Sequence, residues 1–266
     1  MSGTNVIGVI SGLAVFFLPF LFVRLWRARH PVFAAPFAWG VLVWILASGL
    51  GWAVVNAYSD AALSIVSLFT PGLAEGVRLN LAAALIYAVL ETSLVLWIAL
   101  KSSYQEATWE KGVCFGLGYG AAECLVYGAG LFAAWARPGL LPEESRASMA
   151  SLPLVAAAAP LVERTFSYLT HMYAALAVFY GVRSQNWKWV LGAAGYKFIF
   201  YAVSAVGWGM ASSDELLHTP KDLWTVQLAV LAFGALGLSG LLHLGYVYHR
   251  LGDGPGLNPP PAPKAV

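Results

Sequence analysis

Charged residues and cysteines are both scarce in this sequence, and each shortage narrows the class of protein. Charged side chains make up 11% of the 266 residues and hydrophobic ones 59%, whereas soluble domains are about 25% charged. The two cysteines, Cys114 and Cys124, fall within one predicted helix, roughly 15 Å apart and too distant to pair. The basic residues are scattered rather than clustered. The composition therefore excludes a soluble domain, a disulfide framework and a nucleic-acid-binding protein, and it predicts a polytopic membrane protein.

Seven apolar stretches reach the roughly 20 residues that a helix needs to cross a hydrocarbon core. We predict an all-α bundle in a cell membrane, a multi-pass protein that contacts the lipid bilayer. The spans lie at about 5–26, 36–56, 80–101, 112–134, 160–182, 187–210 and 223–248.

The spans leave two other segments. Residues 58–78 contain an apolar run that is too short to span and is closed by a Thr-Pro-Gly turn, which predicts an interfacial or re-entrant segment. Residues 1–250 form one transmembrane domain. The Pro-rich tail, residues 251–266, has no apolar periodicity and is predicted to be disordered in the cytoplasm.

The basic residues also predict an orientation. If the N-terminus faces the outside of the cell, nine of the Lys and Arg residues in the loops, the tail and the ends of the spans fall on the inner side of the membrane, and four fall on the outer side. Positive residues favour the cytoplasmic side of a membrane protein. The sequence therefore predicts an N-out, C-in topology.

Four ionisable side chains fall near mid-membrane, each on a different span: Glu91, Glu123, His171 and Lys197. Each buried charge costs about 2.5–3.5 kcal/mol for insertion, so the fold must pair the charges, hydrate them or bind an ion between them. We predict that Lys197 is charged and pairs with Glu91, Glu123 or both.

The helix that carries Glu123 also has glycines at four-residue spacing, at positions 112, 116 and 120. Such a stripe lets a neighbouring helix approach closely. Because Glu123 continues the stripe, we expect its carboxylate to point into the bundle, either for packing alone or as part of a functional site.

Two further positions support an interior polar site. Arg164 lies seven residues before His171 and shares its helix face, where it can orient a carboxylate of another helix by a bidentate bond, or else reach the headgroups. Glu163 is turned by roughly 80° from His171. Tyr201 follows Lys197 by one turn on a polar stripe that faces inward.

The order of these features resembles the YhfC family of intramembrane glutamic-type peptidases, which is related to the PrsW and CAAX-processing (CPBP) membrane proteases. The resemblance covers roughly residues 85–205. It rests on a Glu in the third span, on GLGYGAAE in the fourth, on ERTFSYLTH in the fifth and on a polar position in the sixth.

The resemblance implies catalytic roles for Glu91, Glu123 and His171, which would also be the ligands of a divalent metal such as zinc. It implies substrate-binding or orienting roles for further residues, which are Glu163, Arg164, Lys197, Tyr119 and Tyr201. The implied substrate is a transmembrane or membrane-associated protein.

The sequence departs from that family at several positions. Leu90 stands where the family has a first Glu, Tyr119 where it often has His, and Lys197 follows Tyr196 where a His motif is expected. An ammonium beside two carboxylates supplies the charge that a metal would bring, so a site without metal is the alternative. Three functions fit: an intramembrane peptidase with Glu91 or Glu123 as base, an inactive relative that acts as a scaffold or chaperone for membrane helices, and a proton-coupled transporter.

Overall fold

A computed structural model of the chain describes residues 3–70, 75–101, 104, 107–140, 143, 157–212 and 220–253. These residues form seven α-helices and one short 3₁₀-helix, and no strand occurs among them. The α-helices are α1 Gly3–Arg27, α2 Ala34–Phe69, α3 Glu75–Ala99, α4 Trp109–Ala136, α5 Ala159–Arg183, α6 Trp187–Ser212 and α7 Pro220–Asp253; the 3₁₀-helix is Pro138–Leu140. The predicted all-α class is confirmed.

Within the described residues, five helical stretches are long and apolar enough to cross a membrane. They are Asn5–Arg27, Ala34–Tyr58, Glu75–Ala99, Trp109–Ala136 and Trp224–Tyr248. The other two predicted spans coincide with α5 and α6, which have 25 and 26 residues. α5 is the less apolar of the two because it carries Glu163, Arg164 and His171. This apolar helical bundle is compatible with an integral membrane protein, while the count of seven spans and the orientation remain predictions.

The segment predicted to be interfacial or re-entrant is largely helical. α2 passes through non-helical backbone angles at Tyr58 (φ −127°, ψ 20°) and continues to Phe69. α3 begins at Glu75, five residues before the predicted start. The Arg78 guanidinium donates a hydrogen bond to Ser67 Oγ at 2.7 Å and so ties the end of α2 to the start of α3. The position of residues 58–78 relative to the bilayer stays a prediction.

The last helix extends past residue 251, where the tail was predicted to start. α7 continues to Asp253, so residues 251–253 are helical. Residues 254–266, for which disorder was predicted, lie outside the described residues.

α4 is the central helix and packs against α1, α2 and α5. Its start is defined by Thr108, whose side chain accepts a hydrogen bond from the Lys111 backbone N–H at 3.5 Å, as expected of an N-cap threonine. α3 and α5 both pack against α6. The buried faces of α3, α4, α5 and α6 therefore adjoin in the interior.

The glycine stripe of α4 packs against α5, as predicted. A Cβ atom added to Gly116 would lie 2.5 Å from Met172 Cα, which no side chain can tolerate without movement of the backbone. A Cβ at Gly112 would lie 2.9 Å from Leu176, and one at Gly120 would lie 3.0 Å from the Tyr168 ring. This close approach brings Glu123 against the polar residues of α5.

Candidate functional site

The four ionisable residues predicted near mid-membrane are all buried in the bundle. Glu91 on α3 is 3% exposed, Glu123 on α4 5%, His171 on α5 1% and Lys197 on α6 2%. A charge buried this deeply requires partners, because the low local dielectric makes an unpaired one costly. The side chains divide into two clusters.

The first, the lysine cluster, consists of Glu91, Lys197 and Tyr201. Lys197 Nζ lies 2.6 Å from Glu91 Oε2, and the Tyr201 hydroxyl donates to the same oxygen at 2.6 Å. The two donors reach one oxygen because residues four apart lie on the same face of a helix. Of the partners predicted for Lys197, which were Glu91, Glu123 or both, the structure places Glu91 in contact with it.

The second, the arginine cluster, contains two carboxylates and one guanidinium, together with a serine and a histidine. Its members are Glu123, Glu163, Arg164, Ser167 and His171. One Arg164 nitrogen donates to Glu123 Oε1 and the other to Glu163 Oε1. The guanidinium therefore bridges two carboxylates instead of binding one in bidentate fashion, and it is an interior ion-pair partner.

The other oxygen of Glu123 contacts two side chains of α5. His171 Nε2 lies 2.6 Å from Glu123 Oε2, and Ser167 Oγ donates to the same oxygen at 3.0 Å. Ser167 Oγ is also 3.1 Å from His171 Nε2. Glu123 is thus fixed on both oxygens, and it shares a short contact with a histidine that can exchange a proton with it.

The second ring nitrogen of that histidine, His171 Nδ1, is buried and has no hydrogen-bond partner among the described residues. A buried N–H without an acceptor is more costly than a lone pair without a donor. The geometry therefore favours the tautomer in which Nε2 carries the proton and donates it to Glu123.

Tyr119 of α4 joins the two clusters. Its ring centroid is 4.6 Å from that of His171, and Lys197 Nζ lies 4.4 Å from the centre of the same ring. A cation over an aromatic face is stabilised by the ring quadrupole. Tyr119 therefore contacts both clusters.

The predicted metal ligands are not arranged as a metal site. Among the described residues, no group of three or more His, Cys, Asp and Glu side chains has suitable spacing. Glu91 is paired with Lys197, and Glu123 is engaged by Arg164, Ser167 and His171. A catalytic zinc typically needs three protein ligands. The residues present do not fit such a site, since two cations supply the positive charge that a metal would bring.

Two contributors to the arginine cluster were absent from the predictions. Ser167 lies four residues before His171, so the two share a face of α5 and both reach Glu123, and that spacing was available as a signal. Tyr127 follows Glu123 by four residues, and its ring lies 4.3 Å from the Arg164 guanidinium carbon.

Arg164 and Tyr127 lie where the arginine cluster comes nearest the surface. The Arg164 side chain is 13% exposed, against 7% for that of Glu123 and none for that of His171. Tyr127 is 54% exposed.

Comparison of the chain with family models, with curated proteins and with solved structures gives no significant match.

Proposed function

We propose that the chain is an intramembrane peptidase that works without a metal, with Glu123 and His171 as its acid–base pair. The observation that carries the proposal is the 2.6 Å contact between His171 Nε2 and Glu123 Oε2 in the buried centre of the bundle. Peptide hydrolysis requires a base that takes a proton from water and an acid that gives one to the leaving amine. A carboxylate and an imidazole in contact can divide these tasks.

Arg164 and Ser167 are positioning residues in this proposal. They bind the two oxygens of Glu123 and fix the direction of its lone pairs. Catalytic groups must be fixed by their surroundings, because displacement by about 1 Å can cost about 100-fold in rate. Glu123 contacts His171 Nε2, whereas Glu91 contacts Lys197 and Tyr201, so we assign the base to Glu123 and not to Glu91.

The depth of the pair and the resemblance to YhfC-type peptidases together suggest the substrate. Since Glu123 and His171 lie halfway along helices of 28 and 25 residues in an apolar bundle, the scissile bond would lie in or next to a transmembrane segment. The proposed substrate is therefore a membrane protein.

The test is a quantitative comparison of protein N-termini in membranes of cells that make the wild-type chain, Glu123→Gln or His171→Ala. Glu110→Gln is the matched control, since Glu110 lies on the same helix in its first turn. We expect new N-termini within transmembrane segments for the wild type and the control. Their yield should fall about 100-fold or more in the two variants, the usual effect of losing a general acid or base.

Equal cleavage by wild type and Glu123→Gln, with both proteins present at the same level, would overturn the assignment. Thermal melting of each purified variant must accompany the comparison, because Glu123→Gln also leaves Arg164 with one partner fewer. A variant that melts near the wild type and has lost cleavage supports a chemical role.

One observation favours a second candidate, a scaffold or chaperone for membrane helices. The carboxylates of Glu91, Glu123 and Glu163 each contact a cation and are almost fully buried, so none of these three is a solvated base in this conformation. If the chain is a scaffold, the wild type and Glu123→Gln should bind the same membrane protein equally well. Neither should produce new N-termini.

A further inference from the structure

A crevice with one apolar wall and two arginines opens between α1, α2 and α4. Its volume is about 660 Å³, and its apolar lining includes Pro19, Phe20, Phe37 and Leu125. Arg24 and Arg27, from the last turn of α1, line the same crevice. It therefore combines hydrocarbon contact with positive charge.

A second crevice of about 780 Å³ adjoins the first, because Val23, Arg27 and Ala28 line both. It adds Arg29 and His30 at the turn between α1 and α2. No acidic side chain lines either crevice among the described residues. The joint opening, which we call the arginine crevice, thus carries three guanidinium groups around one concave surface.

These arginines are not used by the fold itself. The side chains of Arg24, Arg27 and Arg29 make no hydrogen bond or ion pair with any described residue, in contrast to the fully engaged side chain of Arg164. Arginine binds phosphate by a planar fork of donors. Basic pockets between transmembrane helices near a membrane surface are suited to anionic lipid headgroups.

The wall that carries these cations is fixed in place by its neighbours. Trp26 Nε1 donates to the Pro31 carbonyl at 3.1 Å and its ring stacks on His30 with 4.4 Å between centroids. The Phe33 backbone N–H donates to Cys114 Sγ of α4 at 3.5 Å. The turn is thereby attached to the central helix. The crevice is therefore formed by contacts within the chain before any ligand binds.

We propose that the arginine crevice binds one anionic phospholipid, with the phosphate between Arg24 and Arg27 and the upper acyl chain along Phe20 and Leu125. Binding of a phosphate group alone would require the arginines but not the concave apolar wall. The combination of unpaired guanidinium groups, absent acids and a hydrocarbon surface matches a molecule that is anionic at one end and apolar at the other.

Native mass spectrometry of the full chain, titrated with phosphatidylglycerol or phosphatidylcholine, tests the proposal. We expect tighter binding of phosphatidylglycerol. Arg24→Gln with Arg27→Gln should weaken it by roughly 30-fold, since each basic residue near a membrane surface contributes about fivefold. Arg250→Gln is the control, because Arg250 is an exposed arginine in the last turn of α7 outside the crevice. It should change nothing.

Two further arms remove ambiguities. Arg24→Lys with Arg27→Lys keeps both charges and should keep the preference for phosphatidylglycerol, whether or not the Gln variant folds. Inorganic phosphate alone should not compete with the lipid. Equal binding of the two lipids, an unaffected Gln variant, a Lys variant without preference, or displacement by inorganic phosphate would each overturn the proposal.

Discussion

Lys197 Nζ lies 2.6 Å from Glu91 Oε2, and the contact joins the middle of α6 to the middle of α3. Both side chains are at most 4% exposed. Either charge alone would be buried without a partner, which is strongly destabilising, and the contact pairs the two. The contact is therefore a specific constraint on how α3 and α6 pack.

Replacement of Lys197 by methionine should destabilise the protein by about 3–5 kcal/mol, because it leaves Glu91 buried without its cation. Combining Lys197→Met with Glu91→Leu should cost much less than the sum of the single changes. The measurement is a double-mutant cycle on the apparent free energy of unfolding in detergent.

Lys188→Met is the matched control for that cycle, because Lys188 is an exposed lysine near the start of the same helix. It should stay within about 0.5 kcal/mol of the wild type. Additive costs of Lys197→Met and Glu91→Leu would mean that the two residues do not stabilise each other.

Arg164 neutralises two carboxylates at once, so its loss should be as costly as that of Lys197. We expect Arg164→Gln to destabilise by about 3–5 kcal/mol. Arg164→Lys should have an intermediate effect, because one ammonium cannot reproduce the fork that bridges Glu123 and Glu163. Unfolding in detergent gives both values, with exposed Arg137→Gln as control. Full rescue by lysine would contradict the bridging role.

The glycines of α4 differ in the space around them, and this gives a prediction on one helix. Gly116→Ala should destabilise by about 1–3 kcal/mol, since the new Cβ would overlap Met172 of α5. Gly130→Ala meets no atom within 4 Å and should instead stabilise by about 0.5–1 kcal/mol. A melting temperature for Gly116→Ala that equals or exceeds that of Gly130→Ala would refute the close packing of α4 on α5.

Hydropathy predicted most of the helices because a membrane span is defined by its length and its apolar content. The boundaries were less accurate where polar residues lie inside a helix. Residues 58–69 were separated from the second span by their short apolar run, whereas the backbone turns at Tyr58 and remains helical. Propensity alone does not distinguish a kink from an end.

The sequence predicted which residues lie in the candidate site and how deep they lie, but it predicted only some of the contacts between them. Counting residues along each helix placed Glu91 and Lys197 at one depth, which allowed their pair to be predicted. Depth does not give the rotation of a helix or the distance to its neighbours. The arginine bridge from Glu123 to Glu163 depends on how closely α4 approaches α5, and that distance is set by tertiary packing at Gly116 and Gly120.

The predicted topology can be tested with introduced cysteines, because both native cysteines are buried. Ala265→Cys, in the C-terminal tail, should resist a membrane-impermeant thiol reagent in intact cells and react after lysis. Ser2→Cys should react in intact cells. The reverse pattern would show that the positive-residue count assigned the wrong side.

Metal analysis of the detergent-purified protein tests most directly whether Lys197 and Arg164, rather than a metal ion, neutralise Glu91 and Glu123. If the ion pairs neutralise the carboxylates, the wild type, Glu91→Gln and His171→Ala should all contain well under one zinc per chain, with no difference among the three. A chelator should also leave the wild-type melting temperature unchanged. One zinc per chain in the wild type, lost in both variants, would contradict the ion-pair assignment and restore the three-ligand metal site.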